Sequence, residues 1–404
     1  MKNAKIVIGA NFGDEGKGLM TDYFCSRVPK DKPVLNVRFN GGAQAGHTVV
    51  TPEGKRHVFS HFGAGSFLPN VATYLGPEFI VNPILFRKEF EKLQAKGIFP
   101  LVYCHPKCIL TMPQDMMVNQ FIEKRRGNDR HGSCGVGIYE TILRNSHCQT
   151  FVTADGLNNA RQKYSYAIDF DYYSCERVEK MTGLSLNDDE KALLINQNIK
   201  AHYNDDIQFF MNHVGLIDDK IFDYYDYVVF EGAQGLMLDQ NNIEYFPYLT
   251  PSNTGVENVI PFLDEAMDIE VCYVTRPYLT RHGNGYLPDE CLREMVGAKV
   301  DLTNHENEWQ GKLRYGQLNV WALYQRCAKD FDKLSKFKPA LSFAFTHMDE
   351  HDGRHVQAIK DNIIGNCDRI YSSFGPDRTK VADCCVGISQ KTEETEGTHE
   401  KHDH

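Results

Sequence analysis

The chain has 404 residues, a formal net charge of −10 at pH 7 and 42% hydrophobic residues, enough for one large domain or two to three average ones around a substantial core. The negative balance argues against a nucleic-acid coat or a binder of anionic membranes, and no apolar run reaches membrane-spanning length.

Lys5–Ala10 (KIVIGA) is a short apolar run suited to a buried parallel strand. It enters the glycine-rich stretch Asn11–Gly18 (NFGDEGKG), after which Leu19 to Phe24 resume a helical spacing. Strand, glycine loop and helix start together make an anion site, because free N–H groups and the positive helix end face one point. Lys17 adds a point charge for phosphates. Gly18 stands where the ordinary phosphate loop carries a Ser or Thr for Mg²⁺, and Asp14 is the substitute that the loop offers. A surface carboxylate on a glycine turn is the plainer alternative, which the strand–loop–helix context disfavours.

Val34–Phe39 is a second strand and delivers Asn40–Thr48 (NGGAQAGHT), with His47 set among glycines at a strand's C-terminal end. Arg56–Gly63 and Thr73–Val81 read as short strands, Pro83 to about Ala95 as a helix closed by Gly97, and Leu101–Cys104 as another strand. Arg125–Gly137 is basic, then glycine-rich, with a solvated loop as its plain reading. About Gln149 to Lys220 reads as a helical insertion without a chemical motif. Tyr227–Phe230 is a buried strand ending in a third glycine loop, Glu231–Gly235.

Ile269–Thr275 is a strand followed by Arg276, Arg281 and His282, and Asn304–Gly316 is a polar loop carrying Lys312 and Arg314. Asn319–Leu334 is an amphipathic helix, Ala340–Phe345 a strand leading into Thr346–Asp349, and Ser372–Arg378 a turn. Residues 389–404 are charged and polar and expected to be disordered. Glycine loops converging at strand ends are the layout of the ligand edge of an open α/β sheet. One α/β domain over residues 1–388, around a mostly parallel sheet, is therefore expected. No signal-peptide pattern opens the chain, and its 12 cysteines include no CxxC pair. Reduced thiols and a cytoplasmic address follow.

Seven motifs in register resemble the adenylosuccinate synthetase family: GDEGKG at Gly13–Gly18, NGGAQAGHT at Asn40–Thr48, GSCG at Gly132–Gly135, FEGAQG at Phe230–Gly235, YFPYLTPSNT at Tyr245–Thr254, TRHGNG at Thr280–Gly285 and SFGPDR at Ser373–Arg378. The resemblance implies a P-loop-related α/β fold, a homodimer, and a ligase that joins aspartate to C6 of a 6-oxopurine nucleotide at the expense of a nucleoside triphosphate. By that resemblance Asp14 takes the N1 proton, the 6-oxygen attacks the γ-phosphate, and His47 assists at that oxygen. It also implies that Mg²⁺ is held by Asp14 and the Gly46 carbonyl. Gly13, Asp14, Glu15, Gly16, Lys17, Gly18, Gly46, His47, Thr48, Asp349, Ser373 and Gly375 would surround the triphosphate donor. Asp14, Gln44, Ser133, Cys134, Gln234 and Thr250 would hold the acceptor nucleotide, and Arg144 would reach the neighbouring subunit's nucleotide. Gly311, Lys312 and Arg314 would bind L-aspartate.

Three departures narrow the resemblance. The family's aspartate loop, Thr-Thr-Gly-Arg with further arginines, is here Glu308–Arg314, so the arginine that touches the acceptor's 2′-hydroxyl falls at Gly311. His347 replaces the lysine of the donor-base motif, and Gln44 replaces an asparagine. These changes are similar to the phage-type 2-aminoadenylosuccinate synthases, which implies dGMP as acceptor and ATP or dATP as donor. The ordinary reaction with IMP and GTP is the alternative, and a non-catalytic nucleotide switch the third reading. Small-molecule substrates, not nucleic acid or membrane, are the expected partners.

Overall fold

A computed structural model describes residues 1–147, 153–156, 170–301, 304, 309–350 and 363–385. In chain order the strands are β1 (Asn3–Gly9), β2 (Val34–Arg38), β3 (His47–Val50), β4 (Arg56–Phe59), β5 (Val71–Leu75), β6 (Leu101–Cys104), β7 (Gly215–Leu216) and β8 (Tyr227–Gly235). They continue as β9 (Asp268–Thr275), β10 (Tyr278–Arg281), β11 (Glu290–Cys291), β12 (Arg314–Gln317), β13 (Ala340–Phe345), β14 (Arg369–Ser373) and β15 (Val381–Cys385). Ten of them form one sheet in the order β15-β14-β13-β9-β1-β8-β2-β5-β6-β7. Every pairing in it is parallel except β14 with β15.

The apolar run of β1 is continuous because both faces of the sheet are covered. Its side chains alternate: Ile6 and Ile8 join Leu35, Phe230, Tyr273, Leu323 and Cys327 on one face. Val7 joins Met20, Phe24, Val229 and Val274 on the other. Met20 and Phe24 belong to helix α1 (Lys17–Ser26), which leaves the loop after β1 and packs straight back on the sheet. Gly16 caps α1 at φ 97°, and a Cβ there would lie 2.9 Å from Thr346 Cγ2, so both the backbone conformation and the close approach call for glycine.

Helix α2 (Pro83–Gln94) starts on a proline with Asn82 capping Leu85 N–H. Two helices were not legible in the sequence: α3 (Pro113–Arg126), which takes in Arg125 and Arg126 at the start of the basic stretch expected as a loop, and α4 (Ile138–His147), which begins directly after its end. The expected strand Thr73–Val81 is corrected to Val71–Leu75, because Gly76 turns the chain and Ile80 and Val81 make only isolated bridges. The described part of the supposed insertion is helical at Cys175–Thr182, Asp188–Leu194 and Gln197–His213. Tyr203, Ile207 and Phe210 of the last helix share a core with Phe86 and Phe90 of α2, so this helix is integral to the fold. Residues 389–404 lie outside the described residues. The ten cysteines whose side chains are described are free, and among the described residues no helix is long and apolar enough to cross a membrane.

Candidate active site

The carboxyl ends of β1, β2, β8, β9, β13 and β14 all open on one edge, because these strands run parallel, and the glycine loops lie along it. After β1, the Asn11 and Gly13 N–H groups donate to Glu15 Oε1 (3.0 and 2.7 Å), and Lys17 Nζ lies 2.8 Å from Glu15 Oε2. Glu15 and Lys17 are both buried. The Glu15 carboxylate thus closes the loop from inside, and Lys17 is held by it.

Asp14 sits at φ 62°, a conformation uncommon outside glycine. Its carbonyl accepts a hydrogen bond from Arg276 Nε at 2.6 Å, and Thr280 Oγ1 donates to Gly13 O at 3.2 Å. His282 Nε2 is 3.5 Å from Asp14 Oδ2. Cys134 is near enough that Asp14 adds to the effect of burial in pushing its thiol up to about 12.

His47 opens β3, directly after the loop from β2. A Cβ on Gly18 would lie 3.0 Å from His47 Cβ and 2.9 Å from Thr48 O, so the hairpin rests on the first turn of α1. His47 Nδ1 is 2.5 Å from Glu231 Oε1, and Arg38 NH1 is 3.5 Å from the same oxygen. Burial, then the Arg38 guanidinium, lowers the imidazole pKa to about 4. Burial alone would raise Glu231, but Arg38, His47 and the Ala64 N–H hold it below the ordinary carboxylate value. The short contact is therefore a neutral imidazole donating Nδ1–H to an ionised carboxylate.

Gln44 and Gln234 meet over Gly41, where a Cβ would be 3.5 Å from Gln44 Nε2 and 3.3 Å from Gln234 Oε1. Each carboxamide buries its oxygen with no hydrogen-bond partner among the described residues. A half-turn presents N–H₂ instead, so the pair can meet a donor or an acceptor on a ligand. Ser133 Oγ donates to Asn119 Oδ1 at 2.7 Å. The loop around it is stitched to the aspartate-loop candidate, with Gln310 Nε2 donating to Gly132 O (3.2 Å) and Gly283 N–H to Gln310 O (3.0 Å).

On the other flank, Thr346 Oγ1 donates to Glu15 O at 2.6 Å, Ser373 Oγ to Gly375 O at 2.7 Å, and Arg378 pairs with the buried Asp22 at 2.9 Å. Asp349 is paired with Lys299 at 2.6 Å. Arg314 donates to Gly285 O at 2.6 Å and lies 3.2 Å from Glu290, while Lys312 is exposed and a Cβ on Gly311 would meet nothing within 4 Å. Thr250 is held through its N–H to Leu238 O.

Arg144 is 1% exposed and is held within its own chain by Asp115 (2.9 Å) and Leu110 O (2.6 Å). Two residues to which sequence reasoning gave no role are Glu231 and His282. Both lie in motifs already noted, FEGAQG and TRHGNG: Glu231 stands inside β8 and His282 directly follows β10. Among the described residues no cluster of three His, Cys, Asp or Glu could hold a metal. One carboxylate (Asp14) and one carbonyl (the exposed Gly46) form a donor set that suits Mg²⁺ when phosphates and water complete the octahedron.

The adenylosuccinate synthetase family model matches residues 6–334. This chain belongs to that family. Adenylosuccinate synthetases are carbon–nitrogen ligases, and relatives bearing that name include those of Trichodesmium erythraeum and Shewanella loihica. The first is 32% identical over 73% of this chain and 66% of its own length, the second 29% identical over 86% and 77%. The matched stretch thus spans about two thirds to three quarters of these synthetases. The fold matches that of the fully ligated adenylosuccinate synthetase of Plasmodium falciparum with a TM-score of 0.69 at 18% identity, covering 94% of this chain and 99% of that one. It also matches the succinoaminodeoxyadenylate synthetase (PurZ) of cyanophage S-2L, solved with dGMP and dATP as an energy donor, with a TM-score of 0.66 at 16% identity and 96% of both chains covered.

Proposed function

We propose that this synthetase joins L-aspartate to C6 of dGMP, driven by ATP or dATP, giving N6-succino-2-amino-2′-deoxyadenylate for DNA that carries aminoadenine. The carrying observation is the pair of loops from β1 and β2, which present a carboxylate (Asp14) and an imidazole (His47) whose Nδ1 is already committed to Glu231. Asp14 removes the N1 proton, and the electron pair passes to the 6-oxygen, which bonds to the γ-phosphorus as the diphosphate leaves. The negative charge of nearby phosphates raises the His47 pKa from its depressed value, so that the ring carries a proton on Nε2 for the 6-oxygen. The aspartate amine then forms the C6–N bond and phosphate departs with the C6–O electron pair. Mg²⁺, held by Asp14 and the Gly46 carbonyl, would neutralise charge on the triphosphate.

The choice of a deoxyribonucleotide is supported by Gly311, which puts no side chain into open space where a 2′-hydroxyl would find its arginine. The dGMP-bound phage enzyme of the same fold points the same way. The donor contacts are Gly13 to Gly18, Thr48, Asp349, Ser373 and Gly375. The acceptor contacts are Gln44, Ser133, Cys134, Gln234 and Thr250, and Lys312 and Arg314 serve the aspartate. A cytoplasmic homodimer, with Arg144 serving the neighbouring subunit's nucleotide, is proposed on the family resemblance. The second reading, IMP with GTP, is favoured by the names of the sequence relatives. Incubation with each acceptor and donor, followed by mass detection of the succinylated product, tests the two; strong preference for IMP over dGMP rejects the first.

A further inference from the structure

We propose, resting on the function above, that Arg276 is a positioning residue that sets the direction of the Asp14 carboxylate. Asp14 stands at φ 62°, directly after Gly13 at φ 102°. Gly13 has no Cβ to restrict it, so the loop's own sequence does not hold Asp14 in that sparsely populated conformation. The hold comes from outside the loop. Three consecutive carbonyls each accept a hydrogen bond from a distant side chain: Gly13 O from Thr280 Oγ1 (3.2 Å), Asp14 O from Arg276 Nε (2.6 Å) and Glu15 O from Thr346 Oγ1 (2.6 Å). The first two clamp the peptide planes on either side of the Asp14 Cα. Each plane is rigid, so the pair fixes both backbone angles from which the carboxylate departs.

Arg276 is itself immobilised, which a clamp requires. It lies in the short connection between β9 and β10 and is 5% exposed. Its carbonyl accepts from Thr275 Oγ1 at 2.7 Å. Every edge of the guanidinium is committed: Nη2 donates to Asp301 Oδ2 at 2.9 Å, and Nη1 to Tyr278 Oη at 3.2 Å. Those partners are held in turn. The Tyr278 hydroxyl donates to Glu350, and Asp301 accepts from the Asn304 N–H at 3.0 Å and from Asn304 Nδ2 at 2.9 Å. A planar fork fixed at two corners aims its third donor at one point. An ammonium on a flexible stem does not reproduce three directions at once. Proton abstraction needs the base within hydrogen-bond reach of N1, and an error of about 1 Å in its place costs up to about a hundredfold in rate.

The test separates placement from charge and from folding. Steady-state kinetics on Arg276→Met should give a kcat lower by about tenfold to a hundredfold, with KM for dGMP little changed. Arg276→Lys keeps a positive charge beside Asp301, and with it the fold, but lacks the fork; nearly the same fall in kcat is expected. The two residues are then combined. In Asp14→Ala the direction of that carboxylate no longer matters, so adding Arg276→Met costs nothing further. A crystal structure of Arg276→Lys reads the geometry without turnover: Asp14 leaves the left-handed region. An ordinary kcat in Arg276→Lys, a full further loss on top of Asp14→Ala, or an Asp14 that keeps its φ overturns the inference and leaves the ligase assignment standing. Absence of aspartate coupling to either nucleotide in the unaltered protein overturns both.

Discussion

Glu231 Oε1 lies 2.5 Å from His47 Nδ1, with neither side chain more than 6% exposed. Glu231 also accepts from Asn36 Nδ2 at 3.1 Å and from the Ala64 N–H at 3.0 Å, so its carboxylate is fixed from three directions. An imidazole tied in this way has one nitrogen left for substrate, and the carboxylate behind it stabilises the imidazolium when it forms. Glu231→Gln keeps the shape and removes the charge. Turnover is expected to fall by about 10²–10⁴-fold, with KM for the acceptor little changed; steady-state kinetics checks it, and a variant of ordinary turnover would remove Glu231 from the mechanism.

Asp14 carries the proton transfer proposed above. Asp14→Ala should lower kcat by about 10²–10⁴-fold and leave the melting temperature and the oligomeric state as they were. Positional isotope exchange in labelled ATP, run without aspartate, isolates the phosphoryl step. Exchange that persists in the variant would show that another group takes the N1 proton.

Arg144 and Asp115 form an enclosed ion pair, with side chains 1% and 0% exposed. Tyr173 OH adds a hydrogen bond to Asp115 at 2.5 Å. Arg144→Met leaves that carboxylate buried and uncompensated, at a cost of about 3–5 kcal/mol. Denaturant unfolding should show the loss. Unfolding that stays nearly untouched would show that the pair is not needed for stability.

Glu140 is raised by burial to about 7, with the neighbouring carboxylates of Asp115 and Glu123 adding to the shift. Its folded value lies above the unfolded one, so the folded state binds more protons in between. Stability is full below pH ~4.3 and falls as pH rises towards about 7. Glu140→Gln keeps an acceptor for Asn119 Nδ2, which lies 3.1 Å from Oε1. It should flatten that slope and stabilise the protein at pH 8 by about 1–3 kcal/mol. Melting temperatures at pH 5 and 8 decide it: an unchanged slope means that Glu140 does not titrate in this range.

The strands of the sheet's middle were legible because burial on both faces forces unbroken apolar runs, as in KIVIGA and YVVF. The loops were legible because a backbone that turns at Gly16 or packs His47 against Gly18 admits nothing larger. Helices α3 and α4 were not, since their polar and basic residues mask a face that packs only against other parts of the chain. β15 was missed for a similar reason: Val381–Cys385 has little apolar pattern of its own and is a strand because β14 offers it an open edge.

Local chemistry alone determined which residue types stand at the strand ends, and hence the reading of the first glycine loop as an anion site; the purine chemistry came only with the family resemblance. Only the tertiary structure decided which of those side chains face one another. Glu231 reaches His47 across 184 positions of sequence, His282 comes within 3.5 Å of Asp14, and Arg144 pairs with Asp115. The physical reason is that strand order in a parallel sheet is set by crossovers and by the packing of both faces, and nothing in the local pattern of a strand names its neighbour.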